Sequence, residues 1–271
     1  KLYRTLARGR GFEFESYRNY APDDDANLID WRASKRANEL LVKKYREEKN
    51  LKIMFLVDVG ENMIFGSSQK LKAEHAAEVV GALAHLIIKE GDMIGFILFN
   101  DKIKKFVSPS KGIRQFSMFM SDLTNPFFYE SKSKLDTAIN FAMKYLKKSI
   151  SSLVIVSDFL SFTSATKENL SFLANRFETM ALMIKDPLDI TLPDVTGEVV
   201  IEDPKTGQQL LLNPSLAKRV YEKFSLEQEN LVRETCAQYN IDLLKLTTDQ
   251  PSIPLLAQFI KSRVTKIKGP I

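Results

Sequence analysis

The sequence predicts an α/β domain built on a doubly wound, mostly parallel sheet, and three observations carry that prediction. The first is Ile53–Val57, an unbroken apolar run that ends at a carboxylate, Asp58. Five apolar residues suit a strand buried on both faces and are too few for a core helix. The second is a repeat of this arrangement at Ser152–Asp158, again an apolar strand ending in aspartate and again followed by a loop and a helix. The third is the alternation of such runs with helix-period segments along the chain, which implies parallel strands joined by helical crossovers on both faces. In sheets of this kind ligands bind at the carboxyl ends of the strands, so Asp58 and Asp158 form a candidate site.

The elements follow in order. Residues 1–39 lack sustained periodicity but carry Phe12, Phe14, Tyr17, Tyr20, Ile29 and Trp31, an aromatic density that predicts an ordered arm with Trp31 as an anchor. Asp23, Asp24 and Asp25 after Pro22 read as a solvated, capping turn, because consecutive carboxylates rarely converge on one ion. Leu40–Tyr45 alternates weakly and predicts an antiparallel hairpin leading into the central strand. Gly60 and Asn62 form the turn after Asp58, and an apolar-periodic helix spans 70–89. Met93–Phe99 is a second buried strand, and a turn at Asn100 and Asp101 leads into an alternating edge strand at Lys102–Val107. Helices are predicted at 113–123, 135–146 and about 167–176, with the Asp158 strand between the last two. A strand over 179–184 is closed by Asp186 and Pro187. A β-hairpin is inserted at about 198–212, where Val199–Ile201 and Gln209–Leu212 flank the turn Asp203–Gly207. A helix from Pro214 to about Tyr239, a strand at Ile241–Leu246 and a helix at Pro254–Val264 follow. The organisation is an N-terminal arm with an edge hairpin strand over residues 1–50, packed on one domain over 51–271.

Composition narrows the classes. With 271 residues and 44% hydrophobic content the chain has enough apolar material for a full core. Cys236 is the single cysteine, so no intramolecular disulfide forms, which together with the absence of a signal-peptide pattern suits a reducing cytoplasm. No apolar run reaches membrane-spanning length: the most apolar helix, 76–88, is broken by Glu78 and His85. The net charge is +5, with basic residues crowded at the ends (Lys1, Arg4, Arg8, Arg10; Lys261, Arg263, Lys266, Lys268). Without an aromatic-interleaved platform these read as solvated termini, and nucleic acid is not an expected partner.

Several enzyme classes are set aside by motif. There is no G-x-x-x-x-G-K-[ST], Gly9 and Gly11 do not follow a strand, and no G-x-S-x-G occurs. His75 and His85 lie on different faces of one helix, so they do not pair on zinc. A D-x-D phosphotransferase would need an aspartate where Gly60 stands. A hard-cation reading remains, in which Asp58, the Asn62 amide oxygen, a loop hydroxyl and Asp158 supply oxygens to Mg²⁺ or Mn²⁺. Strand-end aspartates also cap helices and satisfy loop amides, and the residues alone leave the two readings open.

A further set of residues carries a family resemblance. Gly9-Arg-Gly11-Phe-Glu13-Phe14, Arg18-Asn-Tyr20, Pro22–Asp25, Ile29-Asp-Trp31 and Glu39-Leu lead into the strand ending at Asp58. The pattern continues through Lys89–Gly95, Asp186-Pro-Leu, Leu192-Pro193 and Lys205-Thr-Gly207, nearly the whole chain. It resembles the DUF58 family, proteins with a von Willebrand factor A-like, Rossmann-type domain. The resemblance implies a central strand at 53–57 flanked by 93–99 and 152–157, so that strand order reverses between the two aspartates.

The resemblance also implies a metal-ion-dependent adhesion site, built in such domains from D-x-S-x-S, a loop threonine and an aspartate after the fourth strand. Asp58 and Asp158 match; Gly60 and Asn62 stand in the serine positions and Ser133 in that of the threonine. The expected metal set is Asp58, Asn62, Ser133 and Asp158, a degenerate site with weak or no affinity for Mg²⁺ or Mn²⁺. The expected partner surface is Asp58, Gly60, Glu61, Asn62, Ser133 and Asp158. It would engage an acidic side chain through a metal, or through rim Arg and Lys where the metal is lost. By resemblance the chain is expected to be a cytoplasmic, non-enzymatic interaction module, an adaptor or chaperone-like partner of a MoxR-type AAA+ ATPase. The alternative is a metal-dependent hydrolase or nuclease using the strand-end aspartates.

Overall fold

A computed structural model of the chain describes residues 14–21, 29–45, 50–193, 199–202, 209–212 and 214–268. The strands are β1 (Phe14–Asn19), β2 (Leu41–Tyr45), β3 (Lys52–Asp58), β4 (Met93–Phe99), β5 (Ile103–Ser110), β6 (Ser152–Ser157), β7 (Glu178–Lys185), β8 (Val199–Glu202), β9 (Gln209–Leu212) and β10 (Asp242–Thr247). The helices are α1 (Trp31–Ala37), α2 (Lys72–Lys89), α3 (Ile113–Leu123), α4 (Leu135–Tyr145), α5 (Ser164–Arg176), α6 (Pro214–Gln238) and α7 (Ser252–Lys268). Phe12, the glycines at 9 and 11, the acidic turn at 23–25, the basic N-terminal residues and the turn at 203–207 lie outside the described residues.

Six strands form the main sheet in the order β10-β7-β6-β3-β4-β5, parallel except for β5. Strand β3 is central, with β4 on one edge and β6 on the other, as the resemblance implied. Its residues 53–58 are all buried because both faces are covered. Phe55 and Val57 face a core shared with α2, α3 and α7, while Met54 and Leu56 face one shared with α4, α5 and α6. The crossover after β3 runs to β4 and the crossover after β6 runs the opposite way to β7, so the loops after β3 and β6 part at the carboxyl end and leave a crevice there.

Strand β5 closes the far edge with a bulge against β4 at Gly95. A Cβ at Gly95 would lie 2.7 Å from the Pro109 nitrogen and 2.8 Å from the Val107 oxygen, so only glycine lets the backbones approach this closely.

The N-terminal segments depart from the expectation. Strand β2 pairs with β1 in a separate two-stranded sheet, not with the central strand. Both edges of β3 are already taken by β4 and β6, so no position remains for an antiparallel neighbour. Helix α1 lies between β1 and β2, capped by Asp30 accepting from the Arg32 and Ala33 amides at 3.1 Å. Trp31, expected as an anchor, is 67% exposed and is not part of a buried cluster among the described residues. The inserted hairpin is present as β8 paired with β9. No helix among the described residues is long and apolar enough to cross a membrane.

Candidate functional site

The crevice is formed by three loops that leave the carboxyl ends of β3, β6 and β7, with the loop before α4 and one face of α6 closing its sides. It encloses about 670 Å³, lined among others by Glu61, Asn62, Phe65, Lys72, Lys132, Ser133, Leu160, Asp189 and Tyr221. Tyr221, Ser225 and Gln228 fall on one face of α6 and donate to backbone oxygens of the flanking loops. The Tyr221 hydroxyl reaches Leu188 O at 2.6 Å, Ser225 reaches Asp189 O at 2.7 Å and Gln228 reaches Leu160 O at 2.6 Å.

Asp58 ends β3 and is fully buried. Its Oδ1 accepts from the Gly60 amide at 2.8 Å, and its Oδ2 accepts from the hydroxyls of Ser133 at 2.6 Å and Ser157 at 2.7 Å. Burial pushes its pKa up to about 6, aided by the nearby Asp158 charge and opposed by those three donors. Asp158, one residue past β6, is also buried. Its Oδ1 accepts from the Leu160 amide at 3.0 Å; its Oδ2 accepts from Asn62 Nδ2 at 2.7 Å and from the Lys72 ammonium at 2.8 Å.

The expected set of Asp58, Asn62, Ser133 and Asp158 is therefore brought together, but as two hydrogen-bonded clusters, Asp58 with Ser133 and Asp158 with Asn62. Gly60 and Glu61 belong to the same loop, and the Glu61 amide donates to Ser131 O at 2.8 Å, tying the loop after β3 to the loop before α4. A Cβ at Gly60 would lie 2.4 Å from Asn62 Oδ1 and 2.9 Å from the Ser133 nitrogen. The Asn62 carboxamide fills the space a serine side chain at position 60 would need. Two residues in these loops are held at positive φ, the exposed Ser131 at 63° and the buried Phe159 at 58°, and for Phe159 the surrounding packing must offset the backbone strain.

Four participants were not assigned from sequence. Ser157 is the last residue of β6, and its hydroxyl crosses to Asp58. Lys72, on the first turn of α2, is 1% exposed and bridges Asp158 and Asp189, at 2.8 and 2.9 Å. Burial alone would lower its pKa, but the two carboxylates outweigh this and hold it above the ordinary lysine value. Asp189 Oδ2 also accepts from the Asp186 amide at 2.9 Å. Asp186 is a structural tie: it accepts from the Ser67 amide and hydroxyl, the Leu188 amide and the Thr248 hydroxyl, and these donors draw its pKa below the ordinary value against the effect of burial. Lys72 had a legible signal. It shares the i, i+4, i+7 stripe of Ala76 and Val79, all buried, so a charge stood on the core face of a helix.

The donor set does not fit Mg²⁺ or Mn²⁺. Such an ion takes about six oxygens, whereas each carboxylate oxygen of Asp58 and Asp158 already accepts at least one hydrogen bond from the protein. Asn62 turns its nitrogen to Asp158, and its Oδ1, left without a partner, abuts Gly60. A divalent ion on Asp158 would stand about 4 Å from the ammonium, a repulsion on the order of 8 kcal/mol at an effective dielectric near 20. No group of three or more His, Cys, Asp or Glu that could hold a metal occurs among the described residues. Cys236 is buried with its thiol pushed up to about 12 by that burial, which removes it as a nucleophile.

Residues 16–230 match a family model described as "Protein of unknown function DUF58". The chain is 27% identical over 262 residues to "Uncharacterized protein Rv1480" of Mycobacterium tuberculosis, covering 95% of this chain and 81% of that one. It is 30% identical over 134 residues to "Uncharacterized protein MAV169" of Mycobacterium avium, covering 49% and 77%. Among solved structures it is similar to the conserved hypothetical protein BatB from Bacteroides thetaiotaomicron, with TM-score 0.55, 13% identity and coverage of 82% and 100%. It is also similar to the pilus adhesin SpaC from Lactobacillus rhamnosus GG, with TM-score 0.51, 12% identity and coverage of 82% and 31%. Likeness at these identities shows the fold alone. The family match begins within β1 and ends within α6, and the chain belongs to the DUF58 family.

Proposed function

We propose that this chain is a non-enzymatic protein-interaction module that docks a partner over the crevice at the carboxyl end of its sheet. We further propose that the partner is a MoxR-type AAA+ ATPase or that ATPase's client complex, for which the chain acts as adaptor. One observation carries the docking reading: the crevice has a polar floor, whose two aspartates are held by hydrogen bonds, beneath an exposed apolar rim. Phe65, Leu160 and Tyr221 line the opening at 42%, 41% and 36% exposure, and Phe224, one helical turn along α6, is 67% exposed. Exposed aromatic and aliphatic side chains around a concavity suit protein docking. A hydrolase would need a carboxylate free to act as base or ligand, and here both are committed to hydrogen bonds. The ATPase assignment rests on the family resemblance.

The test is capture of purified MoxR-type ATPase by the immobilised chain, with Leu160→Ser as the comparison. Capture by the wild type that falls with Leu160→Ser supports both parts. Capture indifferent to the rim moves the docking surface elsewhere, and no capture removes the ATPase as partner.

A further inference from the structure

Asp158 and Asp189 come from loops after different strands, yet their Oδ2 atoms lie 2.8 and 2.9 Å from one point. Two buried carboxylates brought so close need a positive charge between them. That point is held by the ammonium of Lys72, which is 1% exposed and also stands 5.7 Å from the centre of the Phe65 ring. The lysine is fixed at its base as well. Its amide donates to Phe65 O at 2.9 Å, and the preceding Leu71 amide donates to Glu74 at 2.9 Å in the first turn of α2. Lys72 is thus a tethered charge set into the floor of the crevice by its own helix.

We infer that Lys72 is the resident cation of this crevice and that its ammonium does by covalent attachment what a bound divalent ion would otherwise do. It offsets part of the charge of the aspartates after β6 and β7, with the buried Lys185 ammonium acting on the same pair, and holds the three loops in register. A cation carried by the chain cannot be chelated or diluted away, so the crevice keeps its shape without metal. A neutral side chain at position 72 leaves a vacancy within reach of two carboxylate oxygens, open to water from the crevice, which is the start of an oxygen shell for Mn²⁺ or Mg²⁺. For the isolated protein the assignment is independent of the partner. Its consequence for docking, that capture needs no metal, rests on the crevice being the docking surface.

The experiment follows thermal unfolding of the full chain and its binding of Mn²⁺, read by the paramagnetic resonance of the free ion, for wild type, Lys72→Ala and the double variant Lys72→Ala with Asp158→Asn. Wild type is expected to show no saturable Mn²⁺ binding at millimolar ion and no change in Tm on adding Mn²⁺ or EDTA. Lys72→Ala is expected to melt lower, to bind Mn²⁺ at least about tenfold more tightly than wild type, and to regain part of its Tm as the ion is added. The double variant is expected to lose that response. Saturable Mn²⁺ binding by wild type that disappears in Asp158→Asn overturns the inference, as does a folded Lys72→Ala that ignores Mn²⁺. If Lys72→Ala does not fold, Lys72→Gln serves in its place and the wild-type titration still decides. Capture of the ATPase with and without EDTA separates the two claims. Absence of capture counts against the docking reading, whereas Mn²⁺ binding by wild type counts against the resident cation.

Discussion

The hydroxyl of Ser157 donates to Asp58 Oδ2 at 2.7 Å, so the last residue of one strand serves the carboxylate at the end of its neighbour. The same oxygen atom of Ser157 accepts from the Phe159 amide at 3.1 Å, which helps to hold Phe159 at its positive φ. A hydrogen bond to a charged group contributes about 1.5–3 kcal/mol. Ser157→Ala is expected to lower stability by roughly that amount at pH 8. The loss should be smaller at pH 5, where Asp58 is protonated and accepts more weakly. Urea unfolding at the two pH values checks both the size and the difference.

Asp58 itself sets a pH dependence of unusual sign for a carboxylate. Its folded pKa, about 6, lies above the ordinary 3.8, so the folded state holds the proton more tightly than the unfolded state does. The stability this group contributes is complete below the unfolded value and is lost as pH rises through the folded one. The window is pH 4 to 7 and the size on the order of 3 kcal/mol. Asp186 and Glu229, with lowered pKa values, act in the opposite direction at lower pH. The comparison that isolates Asp58 is wild type against Asp58→Asn, and the variant is expected to gain on wild type as pH rises from 4.5 to 7.5. A constant difference across that range would mean that Asp58 is ionised throughout.

Lys72 lies in a buried ion pair, and removing one partner of such a pair leaves an uncompensated charge. Lys72→Met is expected to cost about 3–5 kcal/mol. Adding Asp158→Asn should recover part of it, because only one of the two carboxylates that faced the ammonium, Asp189, then stays charged, and it keeps the Asp186 amide and the field of the buried Lys185. A double-mutant cycle by denaturant unfolding measures the coupling, and strictly additive losses would mean that the 2.8 Å contact carries no energy.

Much of this fold was legible because its signals are local. Ile53–Asp58 and Ser152–Asp158 are apolar runs that end in a charge, and the structure places both as central strands with the aspartates at one crevice. The pairing of β2 was not legible. Leu40–Tyr45 alternates, but what it pairs with depends on β3 having no free edge, which is a property of the whole sheet. The site divides in the same way. Asp58, Asn62, Ser133 and Asp158 could be brought together from motif positions, yet the role of each depends on side chains from elsewhere. Ser157 looked like the polar end of a strand, and Asp189 lies two residues beyond Pro187 in a turn read only as a strand's end. Lys72 was visible as a charge on an apolar helix stripe, but its partners are 86 and 117 residues away in sequence.

Gly60 tests the geometry of the loop after β3. Its φ of −73° is open to any residue, so the cost of a side chain there is steric alone. An added Cβ meets Asn62 Oδ1 at 2.4 Å and the Ser133 backbone nitrogen at 2.9 Å. Gly60→Ala is expected to destabilise by about 1–3 kcal/mol, the usual range for overpacking. Asn62→Ala in the same chain removes the first obstacle but not the second, so recovery should be partial. Full tolerance of Gly60→Ala would show that the two loops stand farther apart than the contact with Ser133 requires.

The apolar rim makes the last prediction. Leu160 and Phe224 are 41% and 67% exposed, and neither side chain takes part in the hydrogen-bond network of the floor. Surface substitutions of this kind usually change stability by no more than about 0.5 kcal/mol. An aromatic or aliphatic anchor at the centre of an interface, by contrast, contributes about 2 kcal/mol or more. Leu160→Ser with Phe224→Ser is therefore expected to leave Tm nearly unchanged while weakening partner capture by about thirtyfold or more. Surface plasmon resonance against the captured partner, paired with a thermal melt of each variant, separates the two effects. If binding and Tm fall together the rim is part of the core, and if neither falls the partner docks on another face.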